Sequence, residues 1–281
     1  MLVGVFASAI VQEYLSGGLV MRWMRRRPLP AIVLGALGGL LVPVCDCGAV
    51  PVARQLIAKG VPVSAGLTFL LAAPVVNPIV LVATALAFQG NIGVVVLRAS
   101  MTLSVALGVG WLACVLLPDA RLKLPGLTQV PADPDKDVRG CPTTRARLSA
   151  IVSQASVEFF DIFFFVALGG LFTAATQTFV PRADLAGLGS RPVASVLALM
   201  PAASVLSICS EADAFVARAF AGAFSPGSVL AFMTIGQIVD LRNGPLLLRT
   251  LGPRLVVLIV GVGYGLVLLE GVALNALLHS P

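Results

Sequence analysis

Long apolar blocks, each about twenty residues or more, alternate with short polar breaks along this chain. They predict membrane-spanning helices rather than the one-sided faces of a soluble core. Residues 2–21 are the first block, closed by Arg22, Arg25, Arg26 and Arg27. The positive charge follows the apolar stretch, whereas in a cleaved signal it comes first. The expectation is therefore a retained span whose C-terminal end is cytoplasmic. Further spans are expected at about 92–117, 150–178 and 254–278. Each can cross about 30 Å of hydrocarbon at about 1.5 Å per residue.

Two regions break this pattern. In 31–88, the apolar run 31–44 is too short for a span and ends at Pro43-Val44-Cys45-Asp46-Cys47-Gly48. Residues 49–58 then lead to the turn Lys59-Gly60-Val61-Pro62. A third run, 63–88, is interrupted by Ala73-Pro74-Val75-Val76-Asn77-Pro78. In 192–249, the run from Pro192 meets Ser207-Ile208-Cys209-Ser210-Glu211-Ala212-Asp213, and a return segment reaches Phe224-Ser225-Pro226-Gly227. The next run carries Gly236-Gln237-Ile238-Val239-Asp240, followed by Arg242-Asn243-Gly244-Pro245.

The two regions look like copies of one unit. A shift of 164 superposes Cys45 on Cys209, Val52 on Val216, Ala53 on Ala217, Arg54 on Arg218, Pro62 on Pro226 and Ser64 on Ser228. One deletion then brings Phe69 onto Phe232 and Asn77 onto Asp240. Positive charge discriminates between two topologies. If 31–58 and 192–222 are full spans, the chain has eight helices in a parallel repeat and its 19 Lys and Arg show no sidedness. If both are re-entrant hairpins, about 15 fall inside and 4 outside, with Arg98, Arg182, Arg191 and Arg218 the outer ones. The positive-inside rule favours hairpins. The expected fold is thus an all-α polytopic membrane protein of two inverted repeats, each with three transmembrane helices plus a re-entrant hairpin with broken helices. Repeat 1 covers 1–117, a Pro- and charge-rich cytoplasmic linker covers 118–149, and repeat 2 covers 150–281.

Composition narrows the function. The 281 residues are 58% hydrophobic and only 11% charged, with a mean hydropathy of +1.00. A soluble domain carries about 25% charged residues. The net charge of +6 sits at the ends of apolar runs, so it orients spans and does not form a nucleic-acid-binding face. The one histidine, His279, excludes a histidine-built zinc site. Five cysteines in apolar settings are not a disulfide framework. There is no phosphate-binding Gly-Lys-Ser/Thr loop and no quinone or haem motif. An enzyme is not expected, nor is a bound cofactor.

The chemistry lies in the intramembrane carboxylates and thiols. Of 13 acids, eight fall in or near apolar segments: Glu13, Asp46, Glu158, Asp161, Glu211, Asp213, Asp240 and Glu270. A charge at mid-bilayer costs about 2.5–3.5 kcal/mol even on a lenient scale, so such residues face a cavity or each other. Asp46 sits between Cys45 and Cys47 at the first tip, while Glu211 and Asp213 follow Cys209 at the second. Asn77 and Asp240 occupy the breaks that follow. In an inverted repeat the tips converge near the midplane, so Cys45, Asp46, Cys47, Asn77, Cys209, Glu211, Asp213 and Asp240 are the candidate substrate site. Thiols among carboxylates suit a soft metal or metalloid, with Cys45, Cys47 and Cys209 as its ligands. Cys114 reads as core and Cys141 as incidental. Arg54 and Arg218 read either as gate residues or as interfacial anchors. Two alternatives stay open: a carrier of a hard metal ion or small anion using the carboxylates and Asn77 while the thiols only pack, and a thiol-redox protein working through Cys45 and Cys47.

The tips resemble those of the predicted permease family that includes the organoarsenical efflux permeases. The C-x-C-G-x-x-P motif is Cys45-Asp46-Cys47-Gly48-Ala49-Val50-Pro51. The K-G-x-P turn is Lys59 to Pro62, and F-L-x-A-x-P-x-x-N-P runs from Phe69 to Pro78. The second half resembles S-x-C-S-x-x-D-A-F at Ser207 to Phe215, and A-F-x-x-x-G-x-x-x-D at Ala231, Phe232, Gly236 and Asp240. The resemblance implies a multi-pass permease of the bacterial inner membrane that exports trivalent organoarsenicals or related species and holds them on cysteine thiols. The partners expected are that solute and the lipid bilayer, with room for a homo-oligomer and no nucleic acid.

Overall fold

The computed structural model describes residues 28–41, 44, 46–116, 192–241 and 243–279. The expected spans 2–21 and 150–178, the linker 118–149, and Glu13, Cys45, Cys141, Glu158 and Asp161 lie outside the described residues. The described residues are helical: α1 (Pro28–Leu41), α2 (Asp46–Ala58), α3 (Val63–Val76), α4 (Pro78–Ala87), α5 (Ile92–Leu116), α6 (Pro192–Leu206), α7 (Ser210–Phe220), α8 (Pro226–Ile238), α9 (Gly244–Leu251) and α10 (Pro253–His279).

Proline sets many of the boundaries. Pro28, Pro78, Pro192, Pro226, Pro245 and Pro253 each fall in the first turn of a helix. There the missing N–H has no intrahelical partner to lose, and the fixed φ suits the helix. Asn77 ends α3 with an extended ψ of 149° and caps α4, its Oδ1 accepting from the Val80 N–H at 2.9 Å. α3 and α4 together form a broken span of 25 residues, Val63–Ala87. Ile92–Leu116 and Pro253–Leu277 are also long and apolar enough to cross a membrane. By contrast, α1 has 14 residues and α2 has 13, so each reaches only about 20 Å along its axis.

The packing is that of a membrane interior. α1 turns small residues inward, with Ala31, Gly35, Ala36 and Gly39 facing the protein, while Leu29, Val33, Leu37 and Leu40 point outward. Apolar side chains need no burial from lipid, so close backbone approach between small residues drives association instead. A methyl group on Gly39 would lie 2.7 Å from the Ala73 Cα, and one on Gly35 would strike the Ala65 carbonyl oxygen. All of α3 is buried, as is α8 from Gly227 to Ile238, and these two central helices touch. Around α3 pack α1, α2 and α5, and around α8 pack α6, α7 and α10. Across the two groups, α5 meets α10, α4 meets α7 and α2 meets α9.

The segments linking short helices are tightly held. Gly60, at φ 106°, turns the chain between α2 and α3. Ser207, just before Cys209, adopts φ 46°, a left-handed conformation that a residue with a Cβ enters at a cost of about 1–3 kcal/mol. Its hydroxyl compensates by donating to the Ser204 carbonyl at 2.9 Å and accepting from the Leu241 N–H at 3.1 Å. The tip before α7 is thereby tied to the break between α8 and α9.

Candidate functional site

The polar centre of the described structure is an ion pair that joins the two groups of helices. Asp213 lies one turn into α7, with Cys209 at the N-cap, and its N–H donates to the Cys209 carbonyl at 2.9 Å. Arg98 projects from α5. Its Nη2 donates to both Asp213 oxygens, at 2.8 and 2.7 Å, and its Nη1 donates to Thr84 Oγ1 on α4 at 2.7 Å. Gln237 Nε2, from α8, adds a third donor to Asp213 Oδ2 at 2.7 Å. The side chains of Arg98 and Asp213 are 0% and 3% exposed. Three helices thus meet on one carboxylate, and α4 joins them through Arg98, in an apolar interior where an ionised group is tolerable only when its charge and lone pairs are met.

The cluster is not fully satisfied. Among the described residues, Arg98 Nε, Gln237 Oε1 and Ser210 Oγ are buried and have no hydrogen-bond partner. Buried polar atoms without partners are few in native proteins and call for an explanation at each site. Here three belong to residues of one cluster. The Ser210 carbonyl is within 3.4 Å of Arg98 Nη2.

The sequence marks Asp213 as a candidate but uses Arg98 only as a charge that orients the spans. In the structure Arg98 is buried and meets an acid 115 positions away. A readable signal existed, since Arg98 is the one Asp, Glu, Lys or Arg in 92–117, and an ionisable group inside a span calls for a partner. Thr84 and Gln237 carry no charge and gave no such signal.

The other candidates are placed as follows. Glu211 and Cys209 are half-buried beside Asp213, and Cys209 is a thiol rather than half of a disulfide. Asp46 is buried at the first residue of α2, where the helix dipole favours a negative charge. Cys47 lies in α2, but its side chain, like all of Cys45, is outside the described residues. Asn77 caps α4 at one break, and at the other Asp240 accepts from Asn243, the residue at the N-cap of α9. The Asn77 amide reaches the carbonyls of Ala73, Pro74 and Val44 at 3.4–3.5 Å. Asp240 Oδ1 accepts from the Asn243 N–H at 2.7 Å, at the start of α9. Among the described residues, no three His, Cys, Asp or Glu side chains lie close enough together to hold a metal ion. Arg218 is exposed and stacks over the Phe88 ring at 5.9 Å. Glu270, on α10, accepts from the Ser104 hydroxyl of α5.

The chain resembles known proteins over nearly its whole length. The UPF0718 protein YcgR of Bacillus subtilis is 37% identical over 259 residues, covering 92% of this chain and 86% of that protein. A Streptococcus mutans protein bearing the name of a putative two-component membrane permease complex subunit is 29% identical over 249 residues, covering 86% of this chain and 79% of the relative. No solved structure matches. The ArsP_1 family, described as a predicted permease, matches residues 1–276. With its apolar, outward-facing helices and near-complete family match, the chain is a multi-pass integral membrane protein of a bacterial kind and belongs to the ArsP_1 predicted permease family.

Proposed function

We propose that this permease is a secondary exporter of a thiophilic solute, a trivalent organoarsenical or a related soft metalloid species, coupled to the proton gradient of the inner membrane. Cys45, Cys47 and Cys209 capture the solute. Asp213, assisted by Glu211 or Asp240, takes up and releases the proton. One observation carries the reading: a carboxylate held in the apolar interior by residues from both halves, one helical turn from the Cys209 cap.

The pairing of elements supports two inverted repeats that rock against each other. α1, α2 and α5 surround α3 as α6, α7 and α10 surround α8. The cross-contacts also come in matched pairs, α4 with α7 and α9 with α2. The lengths of α1, α2 and α7, of 14, 13 and 11 residues, favour arms that enter and leave on one side. The capping role of Asn77 speaks against a hard-metal carrier that uses its amide oxygen as a ligand. The name of the Streptococcus mutans relative supports assembly with further membrane subunits.

The test is export of phenylarsenite into everted membrane vesicles by the parent and by Cys45→Ser, Cys47→Ser and Cys209→Ser. Loss of uptake in each variant, with the protein still present in the membrane, is expected. Undiminished transport in all three ends the thiol-ligand reading.

A further inference from the structure

The ion pair at the centre of the protein is poorly designed as cement. A buried pair gains little net stability over apolar residues of similar shape. This one also leaves three buried polar atoms of its own cluster without partners. Those atoms are complementary. Arg98 Nε is a donor in need of an acceptor. Gln237 Oε1 is an acceptor on a side chain whose other end already binds Asp213, and Ser210 Oγ belongs to the residue whose carbonyl Arg98 already approaches. The cluster therefore contains a second, unused set of acceptors for the guanidinium, on residues that its present partners already hold close.

We propose that Arg98 is the positioning residue of the coupling carboxylate: a proton on Asp213 releases the guanidinium to Gln237 Oε1 and Ser210 Oγ, and loss of the proton draws it back. This rests on Asp213 being the proton carrier. The balance is simple. A proton enters from the aqueous side and forms an O–H bond on the Asp213 carboxylate, the two charge-assisted bonds from Nη2 weaken, and the guanidinium keeps its charge throughout. The cluster passes from neutral to singly positive. The exchange replaces a charge-assisted tie from α5 to α7 by weaker bonds to neutral acceptors on α7 and α8, so the proton weakens the hold of one half on the other and alters the aqueous access of the α7 N-terminus.

The surroundings leave few competing charges. Of the elements packed on α7, α4 and α8 contain no titratable residue. α5 contributes Arg98. On α7 itself, Glu211 is half-buried and Arg218 is turned to the Phe88 ring. Among the described residues, the pair, Glu211 and Asp240, which adjoins the Leu241 bonded to Ser207, are the groups whose charge the thiol at position 209 would sense.

Cys209 is the reporter, and no transported solute is needed. In a protein with Cys45, Cys47, Cys114 and Cys141 changed to Ser, the labelling rate of Cys209 by a membrane-impermeant methanethiosulfonate is compared in right-side-out and everted vesicles. The comparison is made in acidic and in alkaline buffer. The ratio of the two rates is expected to change by about fivefold or more between the buffers, the usual scale of coupling between sites. Asp213→Asn should hold the ratio at its acidic value in both buffers. Arg98→Gln should abolish the response and Arg98→Lys should restore part of it. Gln237→Leu, which leaves the ion pair in place, should preserve the alkaline ratio and diminish the change on acidification. It decides the matter if the charge variants fail to fold, as judged by gel filtration in detergent. An unchanged pH response in Asp213→Asn or Gln237→Leu, or no response in the starting protein, overturns the proposal. Failure of the cysteine-to-serine export test leaves these readouts unaffected, so the two ideas fall separately.

Discussion

Removing one partner of the Arg98–Asp213 pair should be far more damaging than removing both. In Arg98→Met, the Asp213 carboxylate loses both guanidinium bonds and keeps the one from Gln237 at 2.7 Å, inside a site that is 3% exposed. In Asp213→Leu, a guanidinium that is 0% exposed is left with Thr84, the Ser210 carbonyl and the neutral acceptors Gln237 Oε1 and Ser210 Oγ, none of which cancels its charge. Breaking a buried pair in this way costs about 3–5 kcal/mol. That is roughly two to three and a half powers of ten in the folding equilibrium, at about 1.4 kcal/mol for each tenfold. The double variant carries neither buried charge and fills the space with methylenes. It should stand within about 2 kcal/mol of the parent, because apolar replacement of a buried pair is often neutral. The singles would then exceed the double, and the coupling energy between the two sites would be large and of opposite sign to their sum. Reversible unfolding by dodecyl sulfate in mixed micelles measures it, with the fluorescence of Trp111 on α5 as a nearby reporter. The unfolded state in that detergent returns both charges to water, so the full desolvation difference is read. The reasoning is refuted if each single variant shifts the unfolding free energy by less than about 1 kcal/mol, or if the double variant loses the sum of the two.

Three further outcomes follow from the packing and the breaks. Gly39→Leu, set against the Ala73 backbone at 2.7–2.8 Å, should separate α1 from α3 and leave little folded protein in gel filtration, whereas Leu37→Ala on the outward face should behave as the parent. Asn77→Ala removes the cap of α4 and should lower stability by about 1 kcal/mol in the same detergent titration. Asp240→Asn keeps an oxygen to accept from the Asn243 N–H, so stability should stay within about 0.5 kcal/mol of the parent; vesicle export within about twofold would leave the assisting proton role to Glu211, and a loss beyond tenfold would assign it to Asp240.

Much of the fold was legible because proline and glycine mark the ends of membrane helices so strongly. Pro78, Pro192, Pro226 and Pro253 begin helices where the sequence changes from break to apolar run. The expected spans 92–117 and 254–278 correspond to α5 and α10 within a residue or so at most ends. The chemistry was less legible, for two reasons. Arg98 meets Asp213 across 115 positions, and one sequence carries no trace of a contact at that distance beyond the oddity of an arginine inside a span. Asn77 and Asp240 stood out as polar residues in apolar runs, yet their shortest bonds are local, with Val80 and Asn243 three positions on. The Asn-Pro pair at 77–78 is itself a helix-start signature, so that role could have been read beforehand.

The left-handed serine before Cys209 acts as a rivet. Its hydroxyl holds the carbonyl of Ser204 on one side and the amide of Leu241 on the other, so the end of α6, the start of α7 and the gap after α8 cannot slide independently. A displacement at the start of α7 is therefore passed to the break after α8. Replacing Ser207 by glycine would ease the backbone and remove the hydroxyl bonds, leaving the Leu241 N–H on the Ser204 carbonyl at 3.1 Å as the remaining tie, so the joint should loosen without coming apart.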